Sequence, residues 1–106
     1  MTFHVTLATP DKVFFDGAAT EAVCPGIRGF FGILARHTRM MTAMKTGILK
    51  IRGESQEQYF LVEGGMVEVA NDRVELLADF VTPATSAADA EVKLDELKAK
   101  LPNPAA

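Results

Sequence analysis

The chain has 106 residues, 48% of them hydrophobic, with a formal net charge of -3. That length suits one domain, and the acidic balance argues against a general nucleic-acid binder, which needs a basic footprint. The single cysteine, Cys24, excludes an internal disulfide. No apolar run approaches the roughly 18–20 residues that span a bilayer, and Met1-Thr2-Phe3-His4 lacks the basic and apolar regions of a signal peptide.

From the N-terminus, Phe3, Val5 and Leu7 alternate with His4, Thr6 and Ala8, the period-two pattern of a half-buried strand. Pro10-Asp11 interrupts pairing. Val13-Phe14-Phe15 leads into Asp16-Gly17, which reads as a turn because glycine accepts positive φ. A strand over 20–24 is closed by Pro25-Gly26, and another covers 30–34. Ile48, Leu49 and Ile51 follow Gly47, and Gly53-Glu54-Ser55 turns the chain. Tyr59 to Val62 is the bulky run that a buried strand prefers. Gly64-Gly65 reads as a tight strand connection before Met66, Val67 and Val69. Asn71-Asp72 is a turn, and Val74, Leu76 and Leu77 begin the last strand. Turn signals spaced by about 8–12 residues indicate an antiparallel sandwich or flattened barrel.

After Val81-Thr82-Pro83, read as a hinge, the period changes. Ser86 is an N-cap candidate with Asp89 at the capping-box position. Val92, Leu94, Leu97 and Leu101 make an apolar stripe, Asp95–Lys98 and Glu96–Lys100 are the useful charge pairs, and Pro102 stops the helix. The expected fold is therefore mainly β: a sandwich domain over 1–83 and a short helical arm over 84–106, its single helix about 24 Å long at about 1.5 Å per residue.

A search for chemistry finds no catalytic, cofactor-binding or metal-binding constellation. Cys24 lies in a strand-like run, where a buried structural thiol is the expectation. His4 and His37 are far apart in sequence and have no partner at metal-ligand spacing. Gly26-Ile27-Arg28-Gly29-Phe30-Phe31-Gly32 is glycine-rich but lacks the Gly-Lys-Ser/Thr of a phosphate loop. Arg28, Arg36, Arg39, Lys45, Lys50 and Arg52 gather mid-chain, either as a basic patch or as ordinary solvated side chains. Arg36-His37-Thr38-Arg39-Met40-Met41 stands out, because methionine adapts to irregular surfaces; these methionines are either contact residues or core filling.

The same region carries a family resemblance. Gly29-x-x-Gly32-Ile33-Leu34-x-x-His37, followed by Thr42-Ala43-Met44-Lys45-x-Gly47-Ile48-Leu49, resembles the signature of the epsilon subunit of F-type ATP synthases. Gly64-Gly65-Met66-Val67-Glu68-Val69 and Val74-x-Leu76-Leu77-Ala78-Asp79 resemble two further blocks in order and spacing, as does the opening from Phe3 to Gly17. The resemblance covers about residues 3–82. It implies a β-sandwich that binds the gamma subunit and the membrane c-ring, followed by helices that extend along gamma and inhibit ATP hydrolysis. It implies no catalytic residues and a place at the cytoplasmic face of the bacterial inner membrane, held there by other subunits.

Three departures sharpen the expectation. The family's Pro-Gly-His turn is here Ala35-Arg36-His37-Thr38-Arg39; Phe30 stands where the family carries an acid facing the c-ring; and the arm is expected to lack the second helix. The partner-binding candidates are accordingly Arg28, Phe30, Phe31, Arg36, His37, Arg39 and Met40. The ATP-binding motif of some members aligns with Ala88-Asp89-Ala90-Glu91-Val92-Lys93, where Val92 replaces the arginine. A closer match, Leu94 to Ala99, lies about six residues late. ATP binding is not expected, because Lys98 offers no bidentate fork. The rotor-subunit reading competes with a free-standing sandwich that binds peptides at a sheet edge, and with an enzyme using Cys24 and a histidine.

Overall fold

The computed structural model describes residues 1–100; Leu101 in the apolar stripe, Pro102 as the helix stop and the Pro/Ala tail lie outside the described residues. Eight strands precede one helix: β1 Phe3–Ala8, β2 Val13–Ala19, β3 Glu21–Gly26, β4 Gly29–Ile33, β5 Met40–Met44, β6 Gly47–Arg52, β7 Glu57–Ala70, β8 Arg73–Ala84 and α1 Ala87–Lys100. This is the expected mainly-β sandwich followed by a helix. Every strand pairing is antiparallel except β1 with β8, which is parallel.

The long β7–β8 hairpin organises the sheet. Asn71 and Asp72, with φ of 53° and 56°, form its turn, the double left-handed geometry that Asn and Asp tolerate and that matches strand twist. The first half of β7 pairs with β6 and the second with β5. β3 joins β6 through residues 21–23 and β5 at Gly26, which closes the layers on each other. The core cluster between them includes Leu7, Ile33, Leu49, Ile51 and Leu76. β1 shows the expected alternation, with Phe3, Val5 and Leu7 buried.

Gly64-Gly65 is not a strand connection: it lies inside β7. Both glycines have positive φ, 69° and 128°, and the inward-facing phase switches there. Phe60 and Val62 are buried before the pair, Val67 and Val69 after it. Only glycine permits this, since a Cβ on Gly65 would lie 2.2 Å from the Leu77 carbonyl oxygen. Asp16-Gly17 is likewise no turn, because both residues sit in β2 opposite Thr6 and Val5; the reversal is instead made by Thr9 and Lys12, whose N–H groups donate to each other's carbonyls. Pro25 and Gly26 belong to β3, and Ile27-Arg28 makes the turn. Val81-Thr82-Pro83 is strand rather than hinge, paired with β7. β8 has lost its other neighbour by then, since β1 stops at Leu77, and a free edge tolerates proline's missing N–H.

The helix is capped as the sequence indicates. The Asp89 N–H donates to Ser86 Oγ at 3.1 Å, and Asp89 Oδ2 accepts the Thr85 N–H at 2.9 Å. Its ion pair among the described residues is Asp89–Lys93 at 2.8 Å, rather than Asp95–Lys98 or Glu96–Lys100. α1 packs on β6, β7 and β8 through Ala90, which is buried, while Val92 is 54% exposed and Leu94 and Leu97 are half-buried. The helix therefore lies closer to the sheet near its start than the Val92–Leu94–Leu97 stripe implies.

Candidate docking surface

The β3–β4 hairpin and β5 expose the large apolar side chains Ile27, Phe30 and Met41. Pro25 pairs with Phe30 and Cys24 with Phe31, so strand alternation sends the two phenylalanines to opposite sides. Phe31 is half-buried against the core cluster, whereas Phe30 is 64% exposed. Glycine at 26 makes room for the inward ring: a Cβ there would lie 2.7 Å from Phe31 Cε1. The hairpin tip is tied to β5, because the Ile27 N–H donates to the Ala43 carbonyl at 3.1 Å and the Lys45 N–H to the Pro25 carbonyl at 2.9 Å.

β5 is a strand the sequence did not announce. Along it Met44 is buried, Met40 is half-buried against the core and Met41 is exposed. The two readings of these methionines are thus divided by strand alternation: Met44 fills core and Met41 meets solvent. Arg28, Phe30, Phe31 and Met40 meet in one open depression of about 600 Å³, with Met41 in its wall. Arg39 and Met40 line an adjoining depression of about 380 Å³ with Met41, Glu68 and Ala70. A third, of about 220 Å³, joins Met41 to Met66, Glu68, Glu75 and Leu77. Met41 is common to all three, so the apolar surface runs from Phe30 on the hairpin to Leu77 on β8.

Arg36 and His37 line none of these depressions. They occupy the β4–β5 loop, where Arg36 has φ 64° and its N–H donates to Asp72 Oδ1 at 2.6 Å. That bond fastens the loop to the β7–β8 turn. His37 Nδ1 lies 2.7 Å from its neighbour's carbonyl, that of Thr38. Nor do the six mid-chain basic residues form one patch. Arg52 pairs with Glu57 at 3.2 Å, and Lys50 and Arg52 both approach Glu21, at 3.9 and 3.8 Å. Glu57 is held below the usual carboxylate range, first by the Tyr59 hydroxyl that donates to it and then by Lys50 and Arg52.

Ile27, Met66 and Leu77 are surface residues that sequence reasoning did not select, although each is substantially exposed. A signal for two of them was present. Once the Asn71-Asp72 turn is placed, Met66 falls opposite Leu77, on the phase that Val67, Val69, Val74 and Leu76 do not use. Cys24 is fully buried, and burial pushes its thiol up to about 12, which leaves no thiolate for chemistry at neutral pH.

Residues 2–94 match the family described as the β-sandwich domain of the ATP synthase delta/epsilon chain. The chain is 37% identical over 83 residues to the ATP synthase epsilon chain of Rhodopseudomonas palustris strain TIE-1, covering 78% of this chain and 62% of that one. The Myxococcus xanthus epsilon chain is 40% identical over 81 residues, 76% of this chain and 60% of that one. The Prochlorococcus marinus epsilon chain is 35% identical over 100 residues, 92% and 74% of the two chains. Among solved structures, a chain of the Euglena gracilis mitochondrial ATP synthase OSCP/F1/c-ring assembly shares the fold. The match has a TM-score of 0.74 and 20% identity, and covers 98% of this chain and 69% of that one. A chain of the central stalk/c-ring of the Tetrahymena thermophila mitochondrial ATP synthase does so with a TM-score of 0.65 and 20% identity, over 92% and 91%. This chain thus spans about 62% of the length of the Rhodopseudomonas relative.

Proposed function

The chain belongs to the ATP synthase delta/epsilon family, and from that premise we propose that it is a non-catalytic central-stalk subunit of an F-type ATP synthase. Its sandwich, residues 1–83, couples the gamma subunit to the c-ring, and the arm, residues 84–106, inhibits ATP hydrolysis weakly or not at all. The observation that carries this reading is the apolar surface centred on Met41, on a domain whose lone thiol is buried and silent. A torque-transmitting part needs contact area rather than reactive groups, and adaptable methionine beside exposed aromatic side chains suits such an interface.

The hairpin tip is the part directed at the c-ring. Phe30 and Ile27 protrude beside Arg28, so the contact is apolar and cationic where relatives of the resembled pattern place an acid. The Met41–Met66–Leu77 face is directed at gamma. No helix among the described residues is long and apolar enough to cross a membrane; the subunit is held at the cytoplasmic face of the inner membrane by its partners. Asp89 and Lys93 engage each other, which favours helix capping over nucleotide binding.

Co-purification with gamma tests the assignment. A stable complex at micromolar concentration is expected, and its absence contradicts the reading in favour of a free-standing binding module. Deleting residues 84–106 is expected to leave hydrolysis by the assembled enzyme nearly unchanged, whereas a large activation would show that the arm inhibits.

A further inference from the structure

The outer face of β5, β7 and β8 sets two carboxylates opposite each other beside exposed apolar side chains. Met66 pairs with Leu77 and, two residues along, Glu68 pairs with Glu75. All four are exposed, and Met41 stands beside them on β5, opposite Glu68. Directly opposed side chains on neighbouring antiparallel strands have Cβ atoms about 4.5–5.5 Å apart, and like charges at that spacing repel. Neither carboxylate has an ion-pair partner among the described residues, although Arg39 lines the neighbouring depression with Glu68.

We propose that Glu68 and Glu75 form a seat for a lysine or arginine of a protein partner, whose aliphatic neighbours cover Met41, Met66 and Leu77. Charge complementarity chooses the occupant. Two facing carboxylates beside an apolar platform fit a basic residue whose methylene stem lies on the methionines while its head sits between the acids. A second copy of this chain would bring the same two acids against them, and an anionic lipid surface would be repelled. This rests on the reading that the Met41 face meets gamma, and it adds that the gamma surface presents a cation there. The repulsion in the free domain is relieved in the complex, so stability and binding trade against each other at Glu75.

The test compares wild type with Glu75→Gln, Glu75→Lys and Glu68→Gln, measuring the Tm of the isolated chain and its affinity for the gamma subunit at low and high salt. Each variant is expected to fold. Glu75→Lys replaces repulsion by a cross-strand Glu68–Lys pair, and its Tm is expected to rise by about 2–5 °C. Its affinity for gamma is expected to fall by about tenfold or more, with the two Gln variants intermediate and less salt-sensitive than wild type. Equal gamma affinity across the four chains, with wild type binding well, overturns the cation seat and leaves the docking face standing. A wild-type chain that does not bind gamma overturns both. A Tm that fails to rise in Glu75→Lys removes the repulsion on which the seat depends.

Discussion

Side chains from β1, β3, β6, β7 and β8 meet in one cluster inside the sandwich, with Val5, Leu7, Leu49 and Leu76 fully buried. In α1 the fully buried side chain is Ala90, and Leu61 on the helix side of β7 stands outside the main cluster. Hydrophobic stabilisation scales with buried apolar area, at about 25 cal/mol per Å², so an alanine contact holds far less than a cluster of Leu, Ile and Val. The cap and the Asp89–Lys93 pair add local order to the helix but little attachment to the sheet. Sandwich and arm are thus two levels of stability in one short chain, and the proposed docking residues around Met41 belong to the firmer one.

Substitutions on each side should separate the two levels. The largest effect is expected from Gly65→Ala. The added methyl would strike the Leu77 carbonyl oxygen and Ala78 Cα at a φ of 128°, so β7 and β8 cannot pair as they do. A loss of about 4 kcal/mol or more is expected, enough to unfold a marginally stable domain, and denaturant melts check it. Ala90→Leu is expected to overpack the helix contact by about 1–3 kcal/mol. That should lower the helical circular dichroism signal while leaving sheet amide exchange protected; joint loss of both would show that arm and sandwich are one cooperative unit. The smallest effect follows from Asp89. Its carboxyl is held below the usual range, first by Lys93 and then by the Thr85 N–H. A depressed carboxyl stabilises fully above its ordinary value and loses that contribution as pH falls through its folded value. The helical signal of wild type should therefore exceed that of Asp89→Asn at neutral pH and converge with it in acid.

Most strands were legible because their burial alternates along the chain, as with Phe3, Val5 and Leu7. The misreadings have a shared origin in glycine and proline. Asp16-Gly17 and Gly64-Gly65 read as turns, yet one lies in an ordinary strand and the other shifts the phase of a continuous one. Local sequence records the freedom of a glycine but not the strand that will run beside it. Val81-Pro83 read as a hinge because proline breaks ladders, and a free edge removes that objection. β5 was obscured by three methionines, an unbranched residue with little strand signature. Of the surface, Arg28, Phe30, Phe31, Arg39 and Met40 line the adjoining depressions, whereas Arg36 and His37 stand on the neighbouring loop. Glu68 and Glu75 face each other only once the turn register is known.

The Met41 surface is proposed as the part of this subunit that grips the stalk, and titration calorimetry of gamma with wild type and Met41→Lys is its sharpest check. Met41 is 64% exposed and stands opposite Glu68, so the lysine relieves cross-strand repulsion and should not lower the Tm of the free chain. A charge buried at the centre of an interface, facing the partner's cation, should weaken binding by about 2 kcal/mol or more, roughly thirtyfold. Tight binding by wild type and its loss in Met41→Lys with no fall in Tm is the predicted result. Equal binding by the two chains, or none by either, would contradict it.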